Sequence, residues 1–331
     1  MGTNTIAFPQ LGIEMTLKRG FQIFGFNIYW YGVIIALGFV LALAYILWRG
    51  AKFKVKQDDV IDCALVAMPL AIIGARIMYV ACNWSQFKGD FVSVFKIWEG
   101  GIAIYGGLIL AIIGVYVTCR IKKIDFMNFA DIAILGVLIG QIVGRWGNFI
   151  NGEAYGVDVE NFFLGMSING GVDVHPIFLY ESLWNLVGLV ALHFWSKKRR
   201  FHGQIFLAYV AWYGIGRGLI EGIRAENVLT VPMFGTDIRI SQAIAFISAL
   251  VCIGFLAYKL LFTDRADPIF LLSNEEAAAF RAAEKVERNA AKSKAEVVEE
   301  PEAEVAEEAA AAEEEAAGAE ESEQPADNGN N

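Results

Sequence analysis

Long apolar stretches recur along the first 263 residues and are separated by short polar segments. Each stretch is about 20 residues long, the length that an α-helix needs to cross the hydrocarbon core of a bilayer. The pattern therefore predicts an all-α integral membrane protein with seven transmembrane helices. The predicted spans are Ile28–Trp48, Val60–Cys82, Gly101–Cys119, Phe126–Trp146, Pro176–Trp195, Gln204–Glu221 and Ile240–Phe262.

Lysine and arginine are distributed unevenly over the connections between these spans. Eleven follow the first, third and fifth spans, whereas four lie in the opposite connections. Because basic loops stay on the cytoplasmic side, this asymmetry predicts an outside N-terminus and a cytoplasmic C-terminus. On the outer side we expect a small cap (residues 147–175) and a shorter arm (residues 222–238). Residues 1–27 show no cleaved signal-peptide pattern and are expected to lie along the outer interface.

Charge divides the chain into two unlike parts. Residues 264–331, rich in Ala and Glu, contain 20 acidic and six basic residues, a net charge of −14 within a total of −9. Such a segment cannot bury enough apolar surface to form a core, so we expect a disordered tail or a fluctuating helix. The rest of the chain, which includes the membrane domain 28–263, carries a net charge of +5.

Polar side chains also occur inside the predicted spans, at one depth in the outer half of the bilayer. A charged side chain costs about 2.5–3.5 kcal/mol at the bilayer centre, so residues of this kind are candidates for function. A rise of about 1.5 Å per residue places the layer on six helices. Its members are Tyr31, Arg76, Tyr105, Arg145, Glu181, Arg217 and Glu221.

One face of the sixth span carries a regular series of polar residues. The series consists of Tyr213, Arg217, Glu221 and Arg224. Their spacing of four, four and three residues aligns them along one stripe of the helix. Glu221 can neutralise one arginine and orient both, which leaves positive charge for an anionic ligand such as a phosphate. The alternative interpretation is a salt bridge that only joins helices.

A second polar segment, GRWGNFINGE, covers residues 144–153 at the end of the fourth span. Its glycines permit close backbone approach, and Arg145, Asn148 and Glu153 supply charge and hydrogen bonds near the lipid headgroups. A plain helix-ending turn needs the glycines and an asparagine, but hardly an arginine and a glutamate together.

The four cysteines lie within or at the ends of apolar stretches and show no metal-ligand spacing. We interpret them as small apolar residues of the helices. The sequence therefore indicates no metal and no cofactor, and any thiol chemistry would use the cysteine of a partner.

These motifs resemble those of one family, the bacterial prolipoprotein diacylglyceryl transferases. The most specific match is GRWGNFINGEAYG at Gly144–Gly156. Supporting matches are Tyr31-Gly32, Gly74–Arg76, EGGIAIYGG at Glu99–Gly107, HPIFLYE at His175–Glu181, and the stripe on the sixth span. The resemblance runs from about Ile28 to Phe262 and leaves out the acidic tail.

The resemblance implies a multi-pass enzyme of the bacterial inner (cytoplasmic) membrane. Such an enzyme transfers the sn-1,2-diacylglyceryl group of phosphatidylglycerol to the lipobox cysteine thiol of a prolipoprotein signal peptide, forming a thioether and releasing glycerol phosphate. No nucleic-acid partner is expected. The expected catalytic residues are Arg145, Arg217, Tyr105 and Glu221. The expected substrate-binding residues are Arg145, Asn148, Glu153, Tyr31, Arg76, Tyr213 and Arg224.

Tyr105 departs from the family pattern, since many relatives carry a histidine at this place in the EGG–GG motif. A neutral tyrosine, with a reference pKa of about 10, is a poor base at neutral pH. Three proton acceptors stay open: a phenolate form of Tyr105, a carboxylate such as Glu153 or Glu221 acting through water, or no side chain at all if the arginine field deprotonates the thiol. Of the two roles for Tyr105, we favour an orienting hydrogen bond.

Three other function classes fit the sequence less well. A transporter or lipid flippase needs polar residues through the whole depth of several helices, whereas here they crowd the outer half. An intramembrane protease is disfavoured because the chain has no Gly-x-Ser-x-Gly motif. A scaffold that acts through the acidic tail leaves the polar layer unexplained.

Overall fold

The computed structural model describes residues 2–97, 100–225, 230–233, 236–263 and 271–291. Seven long helices and one short helix lie between Trp30 and Tyr258 in this part of the chain. The helices are α1 (Trp30–Gly50), α2 (Gln57–Cys82), the short α3 (Trp84–Phe87), α4 (Ile104–Lys122), α5 (Phe126–Asn151), α6 (Ile177–Trp195), α7 (Gln204–Glu221) and α8 (Ile240–Tyr258). Single turns of 3-10 or π-helix occur at Pro9–Leu11, Ala51–Phe53, Phe91–Phe95, Ser196–Lys198 and Lys259–Thr263.

Six of the long helices, all except α7, are long and apolar enough to cross a membrane among the residues that the structure describes. The predicted multi-helix membrane protein is thereby confirmed, and the bounds of the helices lie close to those of the predicted spans. α7 is less apolar because it carries Gln204, Arg217 and Glu221. Seven crossings and their orientation remain predictions.

α5 occupies the centre of the helix bundle and packs against α1, α6 and α7. Ile132, Leu135 and Leu138 on α5 are completely buried. α2 and α4 pack against each other through small residues, since a Cβ atom on Gly107 would lie 2.8 Å from the carbonyl oxygen of Ala71. The central position of α5 places its last turns, with Arg145 and Asn148, against two neighbouring helices.

Short antiparallel strands, which the hydrophobic pattern did not predict, lie outside the long helices. They are β1 (Thr3–Phe8), β2 (Ile13–Lys18), β3 (Gly20–Ile23), β4 (Phe26–Tyr29), β5 (Ser167–Ile168), β6 (Thr230–Met233) and β7 (Thr236–Arg239). β1 pairs with β2 and β5, β3 pairs with β4, and β6 pairs with β7. Residues 1–27, expected only as an interfacial segment, thus fold largely into hairpins, and their position at the interface remains a prediction.

The cap predicted at residues 147–175 is built onto the N-terminal hairpin. Ile6 of β1 forms a small apolar core with Met166, Val174 and Phe178. α5 continues to Asn151, so the connection begins later than predicted.

The cap also joins the end of α7. The backbone N–H of Val157 donates to the carbonyl of Ile223 at 2.9 Å. Gly156 permits this approach, because a Cβ atom there would lie 2.7 Å from the same oxygen. The cap therefore covers the chain just beyond Glu221.

The chain divides into two compact units, Met1–Asn274 and Glu275–Asn331. The second unit is helical at residues 275–291. The predicted tail starts earlier, at residue 264, and residues 264–270 and 292–331 lie outside the described residues. The prediction of disorder for those stretches stays a prediction.

Candidate active site

Glu181, at the start of α6, lies between two arginines from different helices. Its Oε2 atom lies 2.6 Å from Nε of Arg145 on α5. Its Oε1 atom accepts a hydrogen bond of 3.1 Å from Nη1 of Arg217 on α7. The glutamate side chain is 7% exposed, whereas each arginine side chain is 21% exposed. One buried carboxylate therefore holds two guanidinium groups at the edge of the bundle.

Glu221 forms a second anionic centre one turn beyond Arg217. Its Oε2 atom lies 2.7 Å from Nη2 of Arg217 and 3.9 Å from Nη1 of Arg224. Its Oε1 atom accepts a hydrogen bond of 2.8 Å from the Ser241 hydroxyl on α8. The predicted pairing of Glu221 with both arginines is thus present, and it ties α7 to α8.

Arg239, at the start of α8, closes this end of α7. Its guanidinium donates to the backbone carbonyls of Glu221 and Arg224, both at 2.7 Å. These carbonyls belong to the last turn of α7 and the residues just after it, where carbonyls have no partner inside the helix. The arm predicted at residues 222–238 is hence anchored to the site by Arg239. Residues 226–229 and 234–235 of the arm lie outside the described residues.

Among the described residues of this cluster, three guanidinium groups share two carboxylates. Arg145, Arg217 and Arg224 all contact Glu181 or Glu221. Arg145, Glu181 and Arg217 line a narrow crevice between α5, α6 and α7 that has about 10 Å³ of free volume, room for roughly one water molecule. The crevice is too small for a phosphate group, but the Arg145 and Arg217 side chains are each 21% exposed, so an anion can reach them from the surface.

A reciprocal tryptophan pair fixes α6 relative to α7 beside the crevice. The rings of Trp184 and Trp212 stack with centroids 4.3 Å apart. Each indole N–H donates to the backbone carbonyl of the other residue at 3.1 Å. Trp184 lies three residues after Glu181, and Trp212 five residues before Arg217. The pair therefore determines how the carboxylate of α6 faces the guanidinium of α7.

The end of α5 brings together the polar residues of the GRWGNFINGE segment. Asn148 donates to Oε1 of Glu153 at 3.0 Å, and Asn151 donates to the same oxygen at 3.3 Å. Tyr31 of α1 packs here too, since a Cβ atom on Gly147 would lie 2.8 Å from its ring. Glu153 is exposed. These residues surround the end of the helix that carries Arg145.

Arg76 has a different environment from the other arginines. Its side chain is buried on α2, with the guanidinium over the rings of Tyr79 and Phe87. It donates to the carbonyl oxygens of Ser93, Val94, Lys96, Gly100 and Gly101 at 2.7 to 3.3 Å. A guanidinium has five N–H donors, so these five contacts use all of them. The contacts make Arg76 an anchor for the connection before α4.

Tyr105 and Tyr213 differ in exposure and in their distance along the fold from the arginine cluster. Tyr105 lies in the first turn of α4 and is 66% exposed. Its hydroxyl has no hydrogen-bond partner among the described residues. Tyr213 lines the crevice and stacks on Tyr209 one turn away along α7, with ring centroids 5.7 Å apart. The structure therefore brings Tyr213 to the arginine cluster and shows no direct contact of Tyr105 with it.

A second charged cluster, which the sequence analysis missed, lies near the other end of α5. Asp131 is completely buried and forms an ion pair of 2.9 Å with Arg199. Asp131 also accepts from the backbone N–H groups of Gly203, Ile205 and Phe206 at 2.9 to 3.0 Å. A carboxylate at a helix N-terminus is stabilised by the helix dipole. We assign this cluster to the anchoring of α7, because the Asp131 carboxylate binds the backbone N–H groups at the start of that helix.

Three participants in the site could not be assigned from the sequence. Glu181 belonged to the predicted layer, but its position between two arginines depends on how three helices pack. Nothing in the sequence pattern distinguished Ser241 or the tryptophan pair from other residues of the helices. Among the described residues no group of three or more His, Cys, Asp or Glu side chains is placed to hold a metal ion.

Comparisons with known proteins show the family of the chain. The sequence profile of the family described as prolipoprotein diacylglyceryl transferase matches residues 18–258. The phosphatidylglycerol–prolipoprotein diacylglyceryl transferase of Clostridioides difficile strain 630 is 39% identical over 233 residues, which cover 70% of this chain and 91% of the relative. The proteins of the same name from Listeria monocytogenes strain EGD-e (39% over 260 residues; 76% and 92%) and Streptococcus equi subsp. zooepidemicus strain MGCS10565 (41% over 245 residues; 71% and 92%) are similarly close.

Proposed function

The chain belongs to the prolipoprotein diacylglyceryl transferase family, and we propose that the arginine–glutamate cluster at the ends of α5, α6 and α7 is its active site. The enzyme transfers the diacylglyceryl group of phosphatidylglycerol to a prolipoprotein, the first step of lipoprotein maturation. The observation that carries the assignment of the site is the position of Glu181 between Arg145 and Arg217, which line the same crevice.

The reaction places a demand on charge that this cluster meets. The sulfur of the substrate cysteine attacks the sn-3 carbon of the lipid glycerol, the bond from that carbon to the phosphate oxygen breaks, and glycerol phosphate leaves with the electron pair. Negative charge therefore grows on the phosphate group. Arg145 and Arg217 donate to it in surroundings of low dielectric, where such donors have their largest effect.

The carboxylates act by orientation. Glu181 and Glu221 are almost completely buried, and each holds Arg217 from a different side. A guanidinium held at both ends loses little freedom when it binds phosphate, so its hydrogen bonds are formed at small entropic cost. Arg224 shares Glu221, and Tyr213 lines the crevice close to the entering headgroup.

The thiol proton has three possible destinations. The thiolate is the nucleophile, so the proton leaves before or during attack. The first is Tyr105, and the second is a carboxylate, Glu153 or Glu221, acting through water. The third is water itself, if the field of the arginines favours the thiolate so that no side chain is needed as a base. The high exposure of Tyr105 supports an orienting hydrogen bond to a substrate rather than a built-in base.

The remaining predicted contacts are proposed with different roles. Asn148, Glu153 and Tyr31 border the end of α5 and are proposed to line the entry of the lipid headgroup. For Arg76 the saturated donors support anchoring of the connection before α4 in place of direct lipid binding.

The setting of the site follows from the same proposal. We place the arginine cluster at the outer side of the bacterial inner membrane, with seven crossings and a cytoplasmic C-terminus. The acceptor is the lipobox cysteine of a signal peptide, which reaches the outer surface beside the cluster. The unequal distribution of lysine and arginine over the loops supports this orientation.

The decisive experiment uses the purified full-length chain with phosphatidylglycerol and a synthetic lipobox peptide. We expect the mass of the peptide to increase by one diacylglyceryl group, with a matched peptide that has serine for cysteine as the control. Folded protein that leaves the mass of the cysteine peptide unchanged would contradict the assignment. Arg145→Ala and Arg217→Ala variants that transfer at the wild-type rate would contradict the placement of the site.

A further inference from the structure

One residue of the crevice has no role in the cluster described so far. Asn185 lies on α6, one turn after Glu181, and is only 3% exposed. It lines the same crevice as Arg145, Glu181 and Arg217. Its side-chain amide has no hydrogen-bond partner among the described residues. Asn185 lines the crevice, and a polar side chain at this place in a membrane helix is favourable only when water or a ligand satisfies its amide.

A neighbouring helix has a second unsatisfied atom at the same level. Gln141 lies one turn before Arg145 on α5, and its Nε2 donates to the Tyr209 hydroxyl at 2.8 Å. Its Oε1 atom is buried without a hydrogen-bond partner. Asn185 and Gln141 thus form an amide layer that lies one turn, or about 6 Å, further into the bundle than Glu181 and Arg145.

The order of polar groups matches the order of groups in a phospholipid. Phosphate comes first, and the two ester carbonyls of the diacylglycerol lie a few bonds further toward the acyl chains. Ester carbonyls only accept hydrogen bonds, and the amide of Asn185 offers two N–H donors. The hydroxyls of the glycerol headgroup lie on the opposite side of the phosphate, toward the open end of the bundle, so they are the poorer match.

We propose that Asn185 donates a hydrogen bond to an ester carbonyl of the bound phosphatidylglycerol. Asn185 thereby recognises the diacylglycerol part of the lipid, while the arginines bind its phosphate. The inference rests on the proposed function, because it takes the phosphate to lie at Arg145 and Arg217 and the ester carbonyls to lie deeper in the bundle. It makes Asn185 a substrate-binding residue that holds the sn-3 carbon at a defined depth below Arg145 and Arg217.

The test compares two lipids that differ only at the proposed contact, diacyl phosphatidylglycerol and its dialkyl ether analogue with equal chain lengths. Each competes with a fluorescent phosphatidylglycerol for the purified full chain, so the readout is relative affinity and does not depend on turnover. We expect the wild-type protein to prefer the diacyl lipid about fivefold, the effect of one net hydrogen bond. The Asn185→Leu variant should bind both lipids equally, through loss of diacyl affinity.

Thr118→Val serves as the matched control, since Thr118 is buried on α4 and its hydroxyl already donates to the carbonyl of Gly114 at 2.9 Å. It should keep the wild-type preference. A wild-type protein without preference, or an Asn185→Leu variant that retains it, would overturn the proposal. The unfolding temperature of Asn185→Leu in lipid-free detergent should be no lower than that of wild type, because the substitution removes an unsatisfied amide. If Asn185→Leu does not fold, the ratio of diacyl to dialkyl affinity is measured in Asn185→Ala instead, with the same expected result.

The same experiment separates this inference from the proposed function. Transfer to the lipobox peptide is measured in parallel with both lipids. A wild-type chain that transfers nothing contradicts the proposed function, whatever the binding ratios show. Normal transfer with an unchanged ratio in Asn185→Leu contradicts the role of Asn185 alone.

Discussion

The indole N–H of Trp184 and that of Trp212 each donate to the backbone carbonyl of the other residue, both at 3.1 Å. The two helices are therefore joined at one depth by a symmetrical contact. Its position close to Glu181 and Arg217 means that a small shift of α6 along α7 would change the distance between their charges. Stacked aromatic pairs contribute about 0.5–1.5 kcal/mol beyond their buried area, enough to select one register of the two helices.

Replacement of Trp212 by phenylalanine tests this coupling. The ring remains, but the carbonyl of Trp184 loses its donor, which should lower the free energy of unfolding by about 1 kcal/mol. We expect transfer to fall about tenfold, because the Glu181–Arg217 contact loosens. Initial rates and thermal unfolding measure both effects. Trp195→Phe, on the exposed end of α6, is the control and should change neither; equal effects of the two variants would refute a special role for the pair.

Glu181→Gln removes the charge that Arg145 and Arg217 share. Arg145 then loses the carboxylate that holds it, while Arg217 keeps Glu221. We expect transfer to drop about a hundredfold, the usual range for loss of a preorganised donor. The control is Glu160→Gln, an exposed glutamate of the cap. A Glu181→Gln rate within threefold of wild type would show that the bridge does not orient the arginines.

Arg76→Lys keeps the charge but cannot satisfy five carbonyls with three donors. We expect faster amide hydrogen exchange at Ser93–Lys96 and Gly100–Gly101, together with a lower unfolding temperature. The Arg145→Lys variant should lose transfer without a change in exchange there. If Arg76 instead binds the lipid directly, its lysine variant will raise the KM for phosphatidylglycerol and leave the exchange of this segment unchanged.

Tyr105→Phe separates the two roles of Tyr105 in the transfer of the thiol proton. An orienting hydroxyl predicts a loss of about tenfold or less, since other groups accept the proton. Transfer rates of Tyr105→Phe and Arg145→Ala are compared in the same preparation. A Tyr105→Phe rate as low as that of Arg145→Ala would rule out a role limited to orientation.

Two truncations test the contribution of the acidic tail. Ending the chain after Arg265 should leave transfer intact, because the site lies within the membrane domain. Ending it after Asn274 should preserve stability as well, since Leu272 and Asn274 contact Lys52 through hydrogen bonds of 3.1 and 2.7 Å. Transfer rates and unfolding temperatures of both forms are compared with those of the full chain. Loss of transfer in the longer form would give the tail a catalytic role.

Local chemistry made much of the molecule predictable from its sequence. A helix in a bilayer satisfies its own backbone, so length and apolarity alone located the long helices to within a few residues. The spacing of Arg217, Glu221 and Arg224 placed them on one face, and the structure contains their ion pairs. The family motifs identified the reaction, and the comparisons confirm the family.

Other features were decided only by the packing of distant segments. Glu181 and Arg217 are 36 positions apart, and their contact exists because α6 and α7 are held in one register. Arg76 was predicted to bind the lipid, and only the structure shows that the connection before α4 uses all five of its N–H donors. The N-terminal hairpins were not predicted, because short strands are stabilised by pairing with distant segments. β1, for example, pairs with β5, which is more than 150 residues away in the sequence. A single sequence specifies which residues are polar and predicts their depth. Tertiary structure determines which of them satisfy one another, because a hydrogen bond or ion pair forms only where packing brings its two partners together.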